Sequence, residues 1–369
     1  MNKVNQRPLQ PGERIRVMVV DDSVVIRRLV TMALEGDPAI QVAGTASNGA
    51  IGLQRIPQIN PDVITLDIEM PDMDGLEMLR HIRRDYPRMR VIMFSTLTER
   101  GAAKTLEALT LGADDYVTKV SNEGSLDRSM ASLREEMIPK IKQFFCWGAP
   151  VAARPKAAGA SASSLVLPGS LGPHTVGMRP EVVVIGVSTG GPTALGKILP
   201  EFPADFHLPI LVVQHMPPLF TRLLAERLNS TCQLRVDEAS QGRMIEPGRI
   251  LIAPGDFHMK VASGGGRACV SLDQTQRQNS CRPAVDALFA SAGEVYGGAA
   301  VAVILTGMGQ DGLRGVEILK AQGASVLAQD EASSVVWGMP GAIVNAGLAD
   351  RVLPLDEVVP EVLHITGRK

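Results

Sequence analysis

Apolar and polar positions alternate along this chain in two long series. Between Ile15 and about Glu136, apolar runs of strand length at 15–20, 40–44, 63–67, 91–95 and 114–118 alternate with helical patterns at 23–35, 48–58, 75–86, 99–111 and 125–138. Short apolar runs bounded by turn residues suit buried strands, and apolar positions three and four apart suit helices laid on a sheet. Five βα units in succession predict a parallel sheet with helices on both faces. A second series begins at Glu181, with strands expected near 181–187, 209–214, 249–253, 258–262, 268–272, 300–305, 324–328 and 349–353. Helical patterns lie between several of these, so the second half is also α/β, with a mostly parallel sheet. Gly264-Gly265-Gly266 parts two of the short strands and predicts a β-hairpin insert over 258–272.

The stretch between the two series is different. Residues 147–180 are rich in Ala, Ser, Gly and Pro, carry little charge and show no periodicity. That is the composition of a flexible linker. Residues 1–14 are polar, contain Pro8 and Pro11, and read as a loose tail. The expected division is a tail over 1–14, a first domain over 15–138, a linker over 139–180 and a second domain over 181–369. A length of 369 residues suits two domains of ordinary size.

Composition narrows the function classes. Hydrophobic content of 45% and charged content of 21% are those of a soluble globular protein. A net charge of -2 gives no electrostatic case for binding nucleic acid or anionic lipid. The longest apolar runs, such as 182–187 and 300–305, are too short to cross a membrane, and MNKVNQRPLQPGER has no apolar signal region. A cytoplasmic monomer without membrane insertion is expected. The four cysteines, Cys146, Cys232, Cys269 and Cys281, form no CxxC pair, and their spacings fit neither a zinc site nor a disulfide framework. They read as reduced thiols.

In open parallel sheets, function gathers outside the carboxyl ends of the strands. In the first half, strand one ends in Asp21-Asp22, strand three in Asp67, strand four in Ser95 and strand five in Lys119. Clustered carboxylates suit a hard divalent cation such as Mg²⁺, and a lysine and a hydroxyl nearby suit an added phosphoryl group. A single aspartate at a strand end ordinarily starts a turn, but this set at successive strand ends exceeds what turns require.

In the second half, Gly186-Val187-Ser188-Thr189-Gly190 fits G-x-S-x-G, a sharp strand-to-helix turn that exposes a nucleophilic serine. The helix N-terminus behind it can steady an oxyanion. A glycine-rich turn also binds nucleotides, but Ser188 replaces the second glycine of G-x-G-x-x-G, and Gln214-His215 follow the next strand where a ribose-binding acid is expected. His215 after PILVVQ and Asp311 after VAVILT each follow a different strand, which brings Ser188, His215 and Asp311 to one rim of the sheet. Ser188 would then be nucleophile, His215 base and Asp311 its orienter. The chain order Ser-His-Asp is not that of the α/β-hydrolases.

The blocks VMVVDDSVVIRR, DVITLDIEMPDMDGLEML, VIMFST and GADDYVTK resemble a response-regulator receiver domain. The resemblance implies a flavodoxin-like (βα)5 fold, Asp67 as the phosphorylated residue and Asp21 with Asp22 as the metal-binding pair. It also implies a Glu69 backbone carbonyl in the Mg²⁺ site, Ser95 and Tyr116 as switch residues and Lys119 against the phosphate. The family usually has proline after that lysine, where this chain has Val120. A non-proline cis bond costs about 2.5–4 kcal/mol, so the following loop is expected to differ.

VIGVSTGGPTAL, VVQHMPPLFTRLLAERLN, ILIAPGDFHM, RPAVDALFASAGEVYG, ILTGMGQDG and AQDEASSVVWGMPGAIV resemble the catalytic domain of the CheB family of protein-glutamate methylesterases. That resemblance implies a doubly wound α/β methylesterase domain with the Ser188, His215 and Asp311 triad, Thr189 as a second hydroxyl and the Met308 backbone N–H as an oxyanion donor. It implies a phosphorylation-activated esterase that demethylates chemotaxis receptors and deamidates selected glutamines. A sensor histidine kinase would be the phosphodonor, with Mg²⁺ serving the receiver and no cofactor serving ester cleavage. Val187 stands where the family usually has alanine, and His258 and Arg282 fall in the site's surroundings. Two other readings are a non-catalytic receiver-linked binding protein and a nucleotide-binding output domain.

Overall fold

The computed structural model describes residues 7–119, 126–147 and 179–367. Val120 and most of the expected linker lie outside these residues. The first domain runs β1 (Arg7–Leu9), β2 (Ile15–Val20), α1 (Val24–Glu35), β3 (Ile40–Ala46), α2 (Gly49–Ile59), β4 (Val63–Asp67), α3 (Gly75–Asp85), β5 (Arg90–Ser95), α4 (Glu99–Thr110), β6 (Asp115–Thr118), α5 (Leu126–Lys142) and β7 (Phe145–Trp147). Strands β3-β2-β4-β5-β6 form one all-parallel sheet, the expected five-unit order. Local chemistry starts its helices. Ser23, Asn48, Asp74 and Thr98 each accept a hydrogen bond from the main-chain N–H three residues on, so α1 to α4 begin on polar caps.

The second domain runs β8 (Val182–Val187), α6 (Gly191–Ile198), β9 (Ile210–Gln214), α7 (Phe220–Asn229), β10 (Arg235–Glu238), β11 (Arg249–Ile252), β12 (His258–Gly264), β13 (Arg267–Asp273), α8 (Val285–Tyr296), β14 (Ala300–Ile304), α9 (Leu313–Ala321), β15 (Ser325–Gln329), α10 (Gly338–Asn345), β16 (Arg351–Leu353) and α11 (Val358–Ile365). Seven strands pair in parallel in the order β10-β11-β9-β8-β14-β15-β16, and β12 with β13 forms the expected antiparallel hairpin. Strand β8 lies between β9 and β14, so the chain leaves it in opposite directions for its two neighbours. A crevice opens at such a switch point.

The sequence reading needs correction at the edges of the first domain. Arg7–Leu9 is not tail but β1, paired in parallel with β7, which falls in the expected linker. Leu9, Phe144 and Phe145 are buried there. Three-residue strands carry too few positions to show a period. Helix α5 also continues to Lys142 through Pro139, which pattern reading takes as its end. Strand β10 went unseen because its sequence, RVDE, buries only Val236 fully.

The two domains touch. Helix α4 packs against α6 and α7. The Tyr116 ring stacks on Phe220 with centroids 4.9 Å apart, Thr193 Oγ1 donates to the Leu109 carbonyl at 2.9 Å, and Arg222 pairs with Glu99 at 2.8 Å.

Candidate active site and phosphorylation site

At the carboxyl end of the first sheet, Asp21, Asp22 and Asp67 bring carboxylate oxygens within 4.8 Å of one another. Lys119 Nζ lies 2.8 Å from Asp67 Oδ2 and 3.0 Å from Asp21 Oδ2. Burial raises the Asp67 carboxyl to about 6, with the Asp21 charge adding to it and the Lys119 hydrogen bond opposing. The buried Asp21 Oδ2 has this ionic neighbour but no hydrogen-bond donor in suitable geometry. An orphaned carboxylate oxygen among three carboxylates is what a hard cation satisfies, so these residues fit Mg²⁺. The Glu69 carboxylate turns outward to Lys104 at 3.0 Å, leaving only its main chain for the site. Ser95 Oγ faces α4, bonded to Thr105 Oγ1 at 2.6 Å and Gly101 O at 3.2 Å, rather than Asp67.

In the second sheet Ser188, His215 and Asp311 follow β8, β9 and β14, the three adjacent central strands. The turn after β8 depends on Gly190, whose φ of 79° is the left-handed conformation that glycine adopts without strain. No side chain caps α6; its Gly191 N–H donates back to the Ser188 carbonyl at 2.8 Å, and Pro192 has no N–H. Val187 is fully buried under the turn. Gly307 lets the following loop approach, since a Cβ there would sit 2.8 Å from Ser188 Cβ. The Met308 N–H next to it donates to no acceptor among the described residues. Beneath the turn, Gln214 Nε2 donates to the Ser188 carbonyl at 3.0 Å, and Thr306 Oγ1 to the Thr189 carbonyl at 2.9 Å.

His215 Nε2 and Asp311 Oδ2 are 2.8 Å apart. Burial pulls the His215 imidazole down, but the Asp311 and Cys281 contacts outweigh it and raise the ring to about 10. Its Nδ1 faces Cys281 Sγ at 3.5 Å, and no hydrogen bond joins it to Ser188 among the described residues. Catalytic hydrogen bonds often close only when substrate binds. Asp311 itself accepts from Val285 N, Asp286 N, Gly312 N and Asn279 Nδ2.

Ser188, Thr189, His215, Cys281, Met308 and Asp311 line a cavity of about 640 Å³ whose other wall belongs to the first domain. Thr189 Oγ1 lies 2.9 Å from Asp115 Oδ2 and 3.2 Å from Gln143 Oε1. Of the peripheral residues, His258 is fully buried and accepts from Ala284 N at 3.2 Å, a structural role. Arg282 holds Asp256 at 2.6 Å on the cavity rim. Sequence reading missed Asn279, Cys281, Asp286, Asp115 and Gln143. Asp286 lies in the block RPAVDAL, and its acid amid apolar residues was the one available signal.

The CheB methylesterase family matches residues 183–362, and the response regulator receiver domain matches residues 17–131. A protein-glutamate methylesterase/protein-glutamine glutaminase of Trichodesmium erythraeum is 48% identical over 96% of this chain and 99% of its own length. One of Nocardioides sp. is 50% identical over 97% of both chains. The crystal structure of the Thermotoga maritima CheB methylesterase catalytic domain superposes with a TM-score of 0.50 at 45% identity, covering 51% of this chain and all of that one. The fold thus defines a receiver domain joined to an α/β methylesterase domain. The chain belongs to the CheB family of protein-glutamate methylesterases/protein-glutamine glutaminases.

Proposed function

We propose that this chain is a phosphorylation-activated serine esterase that hydrolyses glutamate γ-methyl esters on chemotaxis receptors and deamidates selected receptor glutamines. The observation that carries the reading is the 2.8 Å His215–Asp311 contact in the cavity that holds Ser188. Its setting is the cytoplasm, as a monomer that binds no nucleic acid and enters no membrane. Its phosphodonor is a sensor histidine kinase.

Ser188 Oγ attacks the ester carbonyl carbon while His215 Nδ1 takes its proton. The carbonyl π pair moves onto oxygen, where the Met308 N–H and the positive end of the α6 dipole stabilise the charge. Asp311 offsets the imidazolium charge. Collapse of the tetrahedral intermediate breaks the bond to the methoxy oxygen, which takes the proton from His215 and leaves as methanol. Water then attacks the acyl-enzyme by the same proton route, freeing glutamate and Ser188. With an amide substrate, ammonia leaves in place of methanol. For the first step Nδ1 must exchange Cys281 for Ser188 Oγ. In the receiver, Asp67 accepts the phosphoryl group, with Asp21, Asp22, Asp67 and the Glu69 carbonyl as the groups that would hold Mg²⁺. Bound there, Mg²⁺ supplies charge neutralisation for phosphoryl transfer. Ester cleavage uses no cofactor.

The test is methanol release from methyl-labelled receptor, with and without a phosphodonor. Ser188→Ala should abolish release while leaving the fold and Asp67 phosphorylation intact. Near-normal turnover in that variant would sink the mechanism. Absence of turnover in the wild type would favour the non-catalytic reading.

A further inference from the structure

Cys281 takes no part in the ester-cleaving steps, yet its sulfur touches the base. Sγ lies 3.5 Å from His215 Nδ1, while Asp311 Oδ2 holds the opposite ring nitrogen at 2.8 Å. Donor atoms of the three residues all fall within 4.8 Å of one another. A tight turn fixes the thiol there. Gln278 and Cys281 exchange main-chain hydrogen bonds of 3.1 and 2.7 Å, and Asn279 and Ser280 adopt φ of 49° and 64°. The Asn279 amide ties the same turn to Asp286 and Asp311, at 2.9 Å each.

We propose that Cys281 and His215 form a binding site for a thiophilic divalent cation, best matched by Zn²⁺, whose occupation switches the esterase off. Thiolate and imidazole are the donors that Zn²⁺ takes in preference to harder ions. Bond lengths of about 2.3 Å to sulfur and 2.0–2.1 Å to nitrogen at a tetrahedral angle place those donors about 3.6 Å apart. The observed 3.5 Å matches that separation. Asp311 supplies the outer carboxylate that orients a metal-bound histidine and makes it more basic. Binding releases the Cys281 thiol proton to solvent and, from a protonated His215 ring, the Nδ1 proton as well. The remaining positions on the ion open to the cavity, for water. With Nδ1 occupied, the proton of Ser188 has no acceptor and acylation stops. The two ligands stand 66 residues apart in the chain, so no motif spacing reveals them. The site itself does not depend on the esterase reading, but its inhibitory consequence rests on His215 being the base.

The experiment uses the full chain with Mg²⁺ in excess, so that the acidic receiver cluster does not compete. ZnCl₂ is titrated against a chromophoric chelator, Co²⁺ is used to read a thiolate-to-metal charge-transfer band, and methanol release is followed in parallel. The expected result is one tightly held equivalent, a charge-transfer band, and loss of methanol release that a chelator reverses. Cys281→Ser should lose the band and keep turning over at Zn²⁺ concentrations that stop the wild type. Asp311→Asn should weaken binding by about 10–100-fold. Ser188→Ala, inactive by design, should bind as the wild type does. A band or a Zn²⁺ affinity unchanged in Cys281→Ser would overturn the site. Zn²⁺ held through Cys281 with undiminished methanol release would overturn the off-switch, and with it the assignment of His215 as base. A wild type that releases no methanol even without Zn²⁺ fails as an esterase, and the binding arm then judges the metal site alone.

Discussion

Asn279 stands between two buried carboxylates, and its amide donates to Asp286 Oδ2 and Asp311 Oδ1 at 2.9 Å each. Burial raises both acids, but His215 and the main-chain donors outweigh it at Asp311 and hold that carboxyl low. Asp286 stays raised by burial and by the Asp311 charge beside it. The amide thus keeps Asp311 charged and aimed. Asn279→Ala should lower kcat by about 10–100-fold, the scale of a small misplacement of a reacting group, with KM little changed. An equal fall in a variant with intact His215–Asp311 geometry and an unshifted pH–rate curve would assign Asn279 a purely structural role. The pH dependence has a definite sign. His215 is raised to about 10 by contacts with Asp311 and Cys281, the groups that face it. A raised basic group stabilises the fold fully below its unfolded value near 6.5, and that contribution is lost as pH rises through about 10. For catalysis the neutral ring is needed, so activity of the unphosphorylated chain should climb with pH across the same interval. A kcat/KM that does not rise with pH towards about 10 would refute the assignment of His215 as the base.

Helix starts differ between the halves in a way that separates scaffold from site. Helices α1 to α4 begin on side-chain caps, whereas α6 begins on Gly190 in the left-handed region with no side-chain cap, beside Ser188. The start of α9 is held instead by the carboxylates of the site, with Gly312 N bonded to Asp311 Oδ1 and Gly315 N to Asp286 Oδ1. Two elements at the margin carry a prediction of their own. Strand β1 exists only by pairing with β7, and Leu9, 4% exposed, is its buried anchor. Leu9→Ala should destabilise the receiver towards the lower end of about 2–5 kcal/mol, measurable by urea unfolding. A change within error would mean the strand pair contributes nothing. The same elements mark how far the sequence could be read. The ten main βα elements of the receiver, the hairpin at Gly264–Gly266 and the rim positions of Ser188, His215 and Asp311 follow from periodicity and strand ends. Strands β1 and β7 were too short to show a period, and β10 too charged. The turn at 278–281 stayed hidden for a different reason: its contacts to His215, Asp286 and Asp311 join residues from four separate segments, and only the fold makes them neighbours.

At the scale of the whole molecule, the receiver closes the cavity it regulates. Leu109, Asp115, Tyr116, Glu136 and Lys140 form one wall of the cavity that holds Ser188. Asp115 and Gln143 hold the Thr189 hydroxyl at 2.9 and 3.2 Å, directly beside the nucleophile. An α-helix with its side chains is about 10–12 Å across, so a receptor helix approaching Ser188 from this side would have to displace the receiver's contacts to Thr189. Tyr116 and Ser95 reach the same seam. Tyr116 stacks on Phe220 across it, and Ser95 bonds to Thr105 of α4, the helix that packs on α6 and α7. A phosphoryl group on Asp67 adds about -1.5 to -2 charges next to Lys119 and gives Ser95 a new acceptor. If Ser95 turns to it, its bonds to Thr105 and to the Gly101 carbonyl break, and α4 loses a tie to β5 while it packs against the esterase domain. The shift required is modest, since a coupling of about 1–3 kcal/mol alters an equilibrium about 5–150-fold. Obstruction then makes separable demands. The fragment from Glu181 onward should exceed the unphosphorylated whole chain in methanol release. Asp115→Ala should raise the basal rate of the whole chain in the same direction, since it removes a bond to Thr189 without touching Asp67. Asp67→Asn should stay slow and ignore phosphodonor. A fragment no faster than the unphosphorylated chain would refute obstruction outright. A fragment faster than that chain but well below the phosphorylated one would mean that the receiver, once phosphorylated, also stimulates catalysis, and Asp115→Ala should then recover only the obstructive part.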